Sequence, residues 1–400
     1  MTQLLTLAEI REAEAALDGV IHRTPCERSH SLSTRLGRDL WLKPEYRQRT
    51  GSFKIRGAYN RLRVLPTGSH VVAGSAGNHA QGVALAAQWL GHRATIFMPA
   101  SASLPKVQAT RAYGAEVILG GVTVDDCIEA AAAMCGDEGA VFVPPFDHRA
   151  ILAGQATAGL EILADVPDAS TVLVAIGGGG LCSGVAAAVK LTRPDVTVVG
   201  VMARGAASMG LSLAAGEPRE VSPFTIADGI ALRAPSQLTL DHIEAFVDEV
   251  VAVGDEEITQ AMLLLLERTK AVVEPAGAAP LAALLSGQIG GDGPAVALLG
   301  GGNIDALLLG KLLDHGLGAL GRYLRVRAVI PDRPGALSGL LLAVADMGLN
   351  VLDVEHHRSG MSLPISTVEV LVVVETRDHE HRASVLAELR DRGFDAQLVE

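Results

Sequence analysis

Lys54 stands in the run TGSFKIRGA at Thr50 to Ala58, one lysine among small, aromatic and backbone-flexible residues. A lysine in such a setting can be desolvated. Its pKa then falls, and its amine can hold a carbonyl compound as a Schiff base. Taken alone, an exposed surface lysine is the simpler reading. Three further runs offer what a reactive lysine would need around it. SAGNHAQG, Ser75 to Gly82, follows an apolar run and opens a helical pattern. Its amides could dock an anion such as a carboxylate, or it is a plain strand-to-helix turn with Asn78 as N-cap. IGGGGLCSG, Ile176 to Gly184, has four consecutive glycines with no Cβ to keep N–H groups from wrapping a phosphate. Its spacing, Gly178, Gly180 and Gly184, is G-x-G-x-x-x-G, and the next strand leads to Arg204 with no acidic residue to hold a ribose. NAD is therefore disfavoured, and a phosphate ester fits better. LLGGGNID, Leu298 to Asp305, is a third such loop, preceded by VVEPAGAA at Val272 to Ala279.

Loops of this kind need strands to carry them. From about residue 70 to 315, short β-rich runs (Val71 to Gly74, Ala94 to Met98, Glu116 to Leu119, Val141 to Val143, Thr171 to Ile176, Val196 to Met202, Ala295 to Leu299) alternate with helical patterns such as Asn78 to Leu90, Ala150 to Leu163 and Glu256 to Lys270. That alternation predicts an α/β domain with mostly parallel sheet and a ligand crevice outside the carboxyl ends of the strands. Near His315 to Arg322 the pattern changes. The last ~80 residues read β-α-β-β-α-β, the ferredoxin-like order. Composition narrows the function classes. The 33 Lys and Arg against 45 Asp and Glu give a net charge of −12, which argues against nucleic acid as a partner and for small molecules. No apolar stretch reaches the ~18 residues a membrane helix needs, and the N-terminus lacks a basic signal region. Four cysteines without C-x-x-C spacing suit reduced thiols. The expectation is a cytoplasmic protein.

In this order SFKIRGA, SAGNH, the tetraglycine loop, TIADG, VEPAGA and GGN resemble the fold-type II pyridoxal-phosphate enzymes, of the tryptophan synthase β type. The closest resemblance is to the threonine dehydratases (threonine ammonia-lyases) with a C-terminal ACT regulatory domain, and it spans nearly the whole chain. It implies a catalytic domain over 1–320, with a smaller parallel-sheet subdomain at about 50–150 inserted in the larger, and an ACT domain over 321–400. Pyridoxal 5′-phosphate would be joined to Lys54, which later moves the Cα proton. Phe53 would flank the cofactor and Asn78 would bond its phenolic oxygen. Gly177, Gly178, Gly179, Gly180 and Leu181 would cup its phosphate, with Gly229 near the ring and Glu274 near its nitrogen edge. Ser75, Ala76, Gly77, Asn78 and His79 would bind the substrate carboxylate. The implied reaction converts L-threonine to 2-oxobutyrate and ammonia, and L-serine to pyruvate. Isoleucine biosynthesis and catabolic use both remain open.

Certain positions sharpen this expectation. Relatives usually carry Ser or Thr where Gly300 stands, and that hydroxyl donates to the pyridine nitrogen; Gly300 cannot. Serine racemases carry a second hydroxyl at the position of Ala76 to reprotonate the opposite face, so alanine favours elimination. Gly200 to Ser212 holds no Asp or Glu, so no metal is expected there. DRPG at Asp332 to Gly335 opens the ACT-like segment. Such domains commonly pair, and Asp332, Pro334, Gly335 and Asn350 would line or shape a site for an amino-acid effector, isoleucine or valine. The chain is expected to form a homo-oligomer, a dimer or a tetramer. The rival readings are another lyase or racemase of a β-hydroxy amino acid, and a catalytically weak amino-acid sensor.

Overall fold

The apolar runs Thr171–Ala175 and Ala295–Leu298 become strands buried on both faces, as central parallel strands require, while the edge run Glu116–Leu119 stays partly exposed. The structure is a computed structural model describing residues 2–358 and 364–399. After β1 (Glu27–Arg28) and β2 (Leu40–Lys43), the chain leaves to build a smaller sheet from β3 (His70–Gly74), β4 (Arg93–Met98), β5 (Glu116–Leu119) and β6 (Val141–Phe142). It then returns with β7 (Thr171–Ala175), β8 (Thr197–Ala203), β9 (Glu249–Val253) and β10 (Ala295–Leu298). The large sheet runs β1-β2-β10-β7-β8-β9, with β1 antiparallel to β2 and the rest parallel. The small sheet runs β5-β4-β3-β6, all parallel. The two lobes belong to one compact unit, Met1–Ala306, and the second unit is Leu307–Glu400.

Small residues let the helices of the large lobe approach closely. A Cβ on Gly184 would lie 2.4 Å from the Leu152 carbonyl oxygen and 2.8 Å from the Ala156 nitrogen, both backbone atoms of the facing helix Arg149–Asp165. Gly184→Ala is therefore expected to destabilise the protein by about 1–3 kcal/mol, because backbone gives way less readily than a side chain. A lowered urea midpoint checks this, and an unchanged midpoint contradicts it.

Beneath the lysine-bearing helix Lys54–Leu62 lies a buried charge network. Arg56 donates to both oxygens of Glu45, each at 2.8 Å, and to both of Glu161 at 2.7 and 2.9 Å. Lys43 pairs with Glu161 and donates to the Thr24 carbonyl. Arg56, Glu45 and Lys43 are fully buried. Burial alone would raise the Glu45 pKa, but the Arg56 guanidinium, helped by Lys43 and the Thr24 hydroxyl, outweighs it and holds the carboxyl below its ordinary value.

One expected helix ends early. The pattern over Glu256 to Lys270 forms the α-helix Asp255–Leu264 and then a π turn, Leu265–Thr269. There the Thr269 hydroxyl donates to the Leu265 carbonyl at 2.7 Å, and Lys270 stops the helix at φ 59°.

The second unit carries the helix Ala306–Ala319, then β11 (Tyr323–Pro331), the helix Ala336–Asp346, β12 (Val351–His357), β13 (Thr367–Glu375), the helix His379–Asp391 and β14 (Asp395–Leu398). Its antiparallel sheet, β12-β13-β11-β14, is the ferredoxin-like β-α-β-β-α-β arrangement. Val368, Val370, Val372 and Val374 alternate into a core with Leu340, Val344, Val385 and Leu389.

Candidate active site

The carboxyl ends of β3, β7 and β10 all open onto one cleft of about 740 Å³ between the two lobes of the first unit. Phe53, Lys54, the run from Ser75 to His79, Gly177 to Leu181, Gly229, Glu274 and Gly300 all line it. The structure thus brings together every catalytic, cofactor and substrate residue expected from the sequence.

Lys54 begins the helix Lys54–Leu62, and its Nζ donates to the Pro145 carbonyl at 2.8 Å. Burial pushes its pKa down to about 8, against the opposing pull of the Glu274 charge. The segment before it is stapled to the third loop. Phe53 N donates to the Gly300 carbonyl at 3.1 Å, Gly302 N donates to Gly51 O at 2.9 Å, and Ser52 and Gly301 form an antiparallel bridge.

Four glycines are needed at the end of β7. A Cβ on Gly178 would fall 2.4 Å from the Phe146 ring, one on Gly180 2.7 Å from Phe146 Cβ, and one on Gly177 2.9 Å from Ile230 Cα. Gly179 has φ +94°. This loop leads into the helix Gly180–Thr192, whose first-turn N–H groups have no acceptor within their own helix. It is a cradle for a dianionic group.

Asn78 departs from the plain-turn alternative. Gly77 is the N-cap of the helix Asn78–Leu90, and Asn78 is its first residue. Its side chain is used elsewhere. Nδ2 donates to Glu274 Oε1 at 2.7 Å, and Oδ1 accepts from Asn303 Nδ2 at 2.7 Å. Burial and then the Asp228 charge push the Glu274 pKa up to about 7. The His79 ring is turned to the Val143 carbonyl at 2.8 Å; burial and the Lys54 charge push its pKa down to about 3, so it is neutral. A ligand at this loop would therefore meet the amides rather than a histidine cation.

Asn303, in the run LLGGGNID, is a site residue whose role its place in the sequence does not announce. Asn303 Nδ2 also donates to the Thr50 carbonyl at 2.7 Å, so one amide joins the lysine loop to Asn78. Pro145, Phe146, Lys106 and Asp228 are further lining residues without an expected role. At Gly300, by contrast, nothing forces glycine: a Cβ there would find its nearest atom, Phe53 Cδ1, at 3.4 Å. Among the described residues, no group of three or more His, Cys, Asp or Glu is placed to hold a metal ion.

In the second unit, Asp332 to Gly335 connect β11 to the next helix, with Gly335 at φ +88°. Asn350 lies at the other end of the sheet, beside Glu375, which pairs with Tyr323 at the start of β11. The four expected regulatory residues are not brought together within this chain.

A lysine amine beside an amide cradle in a roomy parallel-sheet cleft defines a site for a phosphorylated carbonyl cofactor. The profile of the family described as pyridoxal-phosphate dependent enzyme matches residues 17–301, and this chain belongs to that family. The ACT domain profile matches residues 324–394, within the second unit. Over 99% of this chain and all of its counterpart, it is 45% identical to an L-threonine ammonia-lyase of Thermotoga maritima. The crystal structure of a T.th. threonine deaminase is 41% identical, covering 75% of this chain and 99% of that one with a TM-score of 0.72. A maize serine racemase structure is 34% identical, covering 79% of this chain and 99% of that one, with a TM-score of 0.74.

The residues present fit pyridoxal phosphate: the tetraglycine cradle leaves amides where any Cβ would clash, and Lys54 supplies the amine. Capture of the aldehyde requires a neutral amine. In cofactor-free protein, the second-order rate of pyridoxal phosphate uptake is expected to rise with pH and level off near pH 8, as the Lys54 amine loses its proton. A rise continuing beyond the ordinary lysine value of 10.5 would contradict this.

Proposed function

We propose that the protein is an L-threonine ammonia-lyase, converting L-threonine to 2-oxobutyrate and ammonia and L-serine to pyruvate and ammonia. The observation that carries this reading is that Lys54, the Ser75 to His79 loop and the tetraglycine loop line one cleft, in a chain 45% identical over its length to the Thermotoga maritima L-threonine ammonia-lyase.

Bound pyridoxal phosphate supplies the electron sink that acidifies the Cα–H of an attached amino acid and lets its β-hydroxyl depart. The chain supplies position and proton transfer. The amides of Gly177 to Leu181 would bind the phosphate, and Phe53 would flank the ring. Gly229 would lie near it, and Glu274 near its nitrogen edge. Asn78, held between Glu274 and Asn303, would face the phenolic oxygen. The amides from Ser75 to His79 hold the substrate carboxylate. Lys54 Nζ takes the Cα proton. The released enamine takes up water and gives the oxo acid and ammonia. Ala76 lines the cleft without a transferable proton, which supports elimination over racemisation.

Purified protein with L-threonine, assayed with and without added pyridoxal phosphate, tests this. Cofactor-dependent 2-oxobutyrate upholds the lyase reading. A yellow protein releasing no oxo acid from threonine or serine refutes it and leaves cofactor binding intact. Gly300→Ser has room for its side chain and restores a donor toward the ring, so cofactor affinity is expected to rise about fivefold, the effect of one hydrogen bond. A fluorescence titration with pyridoxal phosphate reads it.

The ACT domain would add control by an amino-acid effector, isoleucine or valine. With Asp332, Pro334 and Gly335 at one end of β11 and Asn350 at the other, such a site would be completed by pairing of two copies, in a homodimer or homotetramer. Calorimetric titration with isoleucine, valine and threonine tests this, and no binding of any of them refutes it. A cytoplasmic setting suits the four free cysteines, and among the described residues no helix is long and apolar enough to cross a membrane.

A further inference from the structure

The outer part of the cleft is lined from opposite lobes by charged side chains. Lys106 on the helix Leu104–Ala112, with Asp125 and Glu129 on the helix Val124–Glu138, come from the small lobe. Glu220, Asp228 and Arg233 come from the long connection between the helices Ser208–Ala215 and Gln237–Phe246 of the large lobe. A connection of this length in a compact unit is usually functional. Two ion pairs cross from lobe to lobe: Lys106 with Asp228 at 3.1 Å, and Arg233 with Asp125 at 3.6 Å. Arg233 also meets Glu220 at 2.7 Å. Each outer cation therefore already faces a carboxylate, and Glu129 adds another.

We propose that this rim is a charge filter, admitting β-hydroxy amino acids with neutral side chains and rejecting those that carry a second carboxylate. The inference deepens the lyase reading and rests on it. The amides of the tetraglycine loop are committed to the cofactor phosphate, and those from Ser75 to His79 to the α-carboxylate. A further carboxylate would need a cation. Lys54 is committed first to the cofactor and then to the Cα proton, His79 is neutral, and Lys106 and Arg233 are already paired. Four carboxylates, Asp125, Glu129, Glu220 and Asp228, line the outer cleft, and a further carboxylate that loses water there without gaining a cation is disfavoured. 3-Hydroxyaspartate carries the same β-hydroxyl as threonine and would give oxaloacetate and ammonia by the same loss and return of water. The chemistry does not exclude it; the rim does.

The test is ammonia release by the holoenzyme from L-threonine and from L-threo-3-hydroxyaspartate. The expected kcat/KM for hydroxyaspartate is at least about a hundredfold lower. In Asp125→Asn with Glu220→Gln, both carboxylates facing Arg233 are gone, and the ratio is expected to move toward hydroxyaspartate by tenfold or more. Adding Arg233→Gln should restore discrimination. Both carboxylates are about half exposed or more, so the substitutions leave the core intact. Wild-type turnover of the two substrates within tenfold of each other, or a ratio unmoved in the double variant, overturns the filter. If threonine releases no ammonia, the lyase reading fails instead, and the filter is judged by the ligand-induced change in the cofactor's visible spectrum. Threonine bound in preference to hydroxyaspartate upholds it, and equal affinities overturn it.

Discussion

Lys54→Ala is expected to lower oxo-acid release by at least about a thousandfold and to remove the visible colour of lysine-bound cofactor. The loss is this large because one amine serves two purposes. It holds the cofactor in the cleft, and it moves the Cα proton, a transfer that typically contributes 10² to 10⁴ in rate on its own. Stability should change little, since the chain of Lys54 leads into the cleft rather than into the apolar core, and its one protein hydrogen bond runs to the Pro145 carbonyl. Added pyridoxal phosphate should still bind through the Gly177 to Leu181 amides, more weakly and without the colour. The two readouts separate the explanations. An inactive variant that keeps its urea midpoint has lost chemistry, whereas retained oxo-acid production at above a tenth of the wild-type rate would assign the proton transfer to another group.

Arg56→Leu is expected to cause the largest loss of stability, about 3–5 kcal/mol at neutral pH. Removing one partner of a buried pair strands the other without water or counter-charge. Glu45 is wholly buried and receives two of the guanidinium's hydrogen bonds, while Glu161 loses two more and keeps Lys43. The pH dependence has a definite sign. In the wild type, Arg56 holds the Glu45 pKa below its ordinary value of 4.5. In the variant burial, the largest influence on Glu45, is opposed only by the Thr24 hydroxyl and the more distant Lys43, and it raises the folded pKa above the unfolded one. A group shifted that way costs nothing below its unfolded pKa and costs progressively more as the pH rises through its folded pKa. The deficit relative to wild type should therefore be greatest near neutrality and narrow below about pH 4.5. A deficit that is uniform between pH 4 and 8 would assign the loss to packing.

Much of this could be read from the chain because the chemistry sits on local segments. Lys54, the Ser75 to His79 loop and the tetraglycine run each lie at a strand end or helix start, where short spacing and glycine content carry the signal. What was missed depends on partners far apart in sequence. Asn303 reaches Asn78 across 225 positions, and Arg56 reaches Glu161 across 105. No periodicity announces such pairs. The ion pairs across the rim escaped for the same reason. β9 was missed because Glu249–Val253 is short, only partly covered, and continuous with the acidic start of the next helix. Asn78 looked like an N-cap because asparagine favours that place; the backbone gave the cap to Gly77 and the side chain to Glu274.

The large sheet places β2 beside β10, pairing Leu40 with Ala295 and Lys43 with Leu298. During synthesis, therefore, the strand that comes just before the reactive lysine waits for some 250 residues before its neighbour exists. The small sheet, with its strands in near-sequential order between residues 70 and 142, has no such delay. Pairings between distant segments form late because the loop they close is entropically costly. The anchors that Gly300, Gly302 and Asn303 give to the loop around Lys54 come from some of the last residues of the first unit to emerge from the ribosome, so the loop gains them only after both lobes have been made.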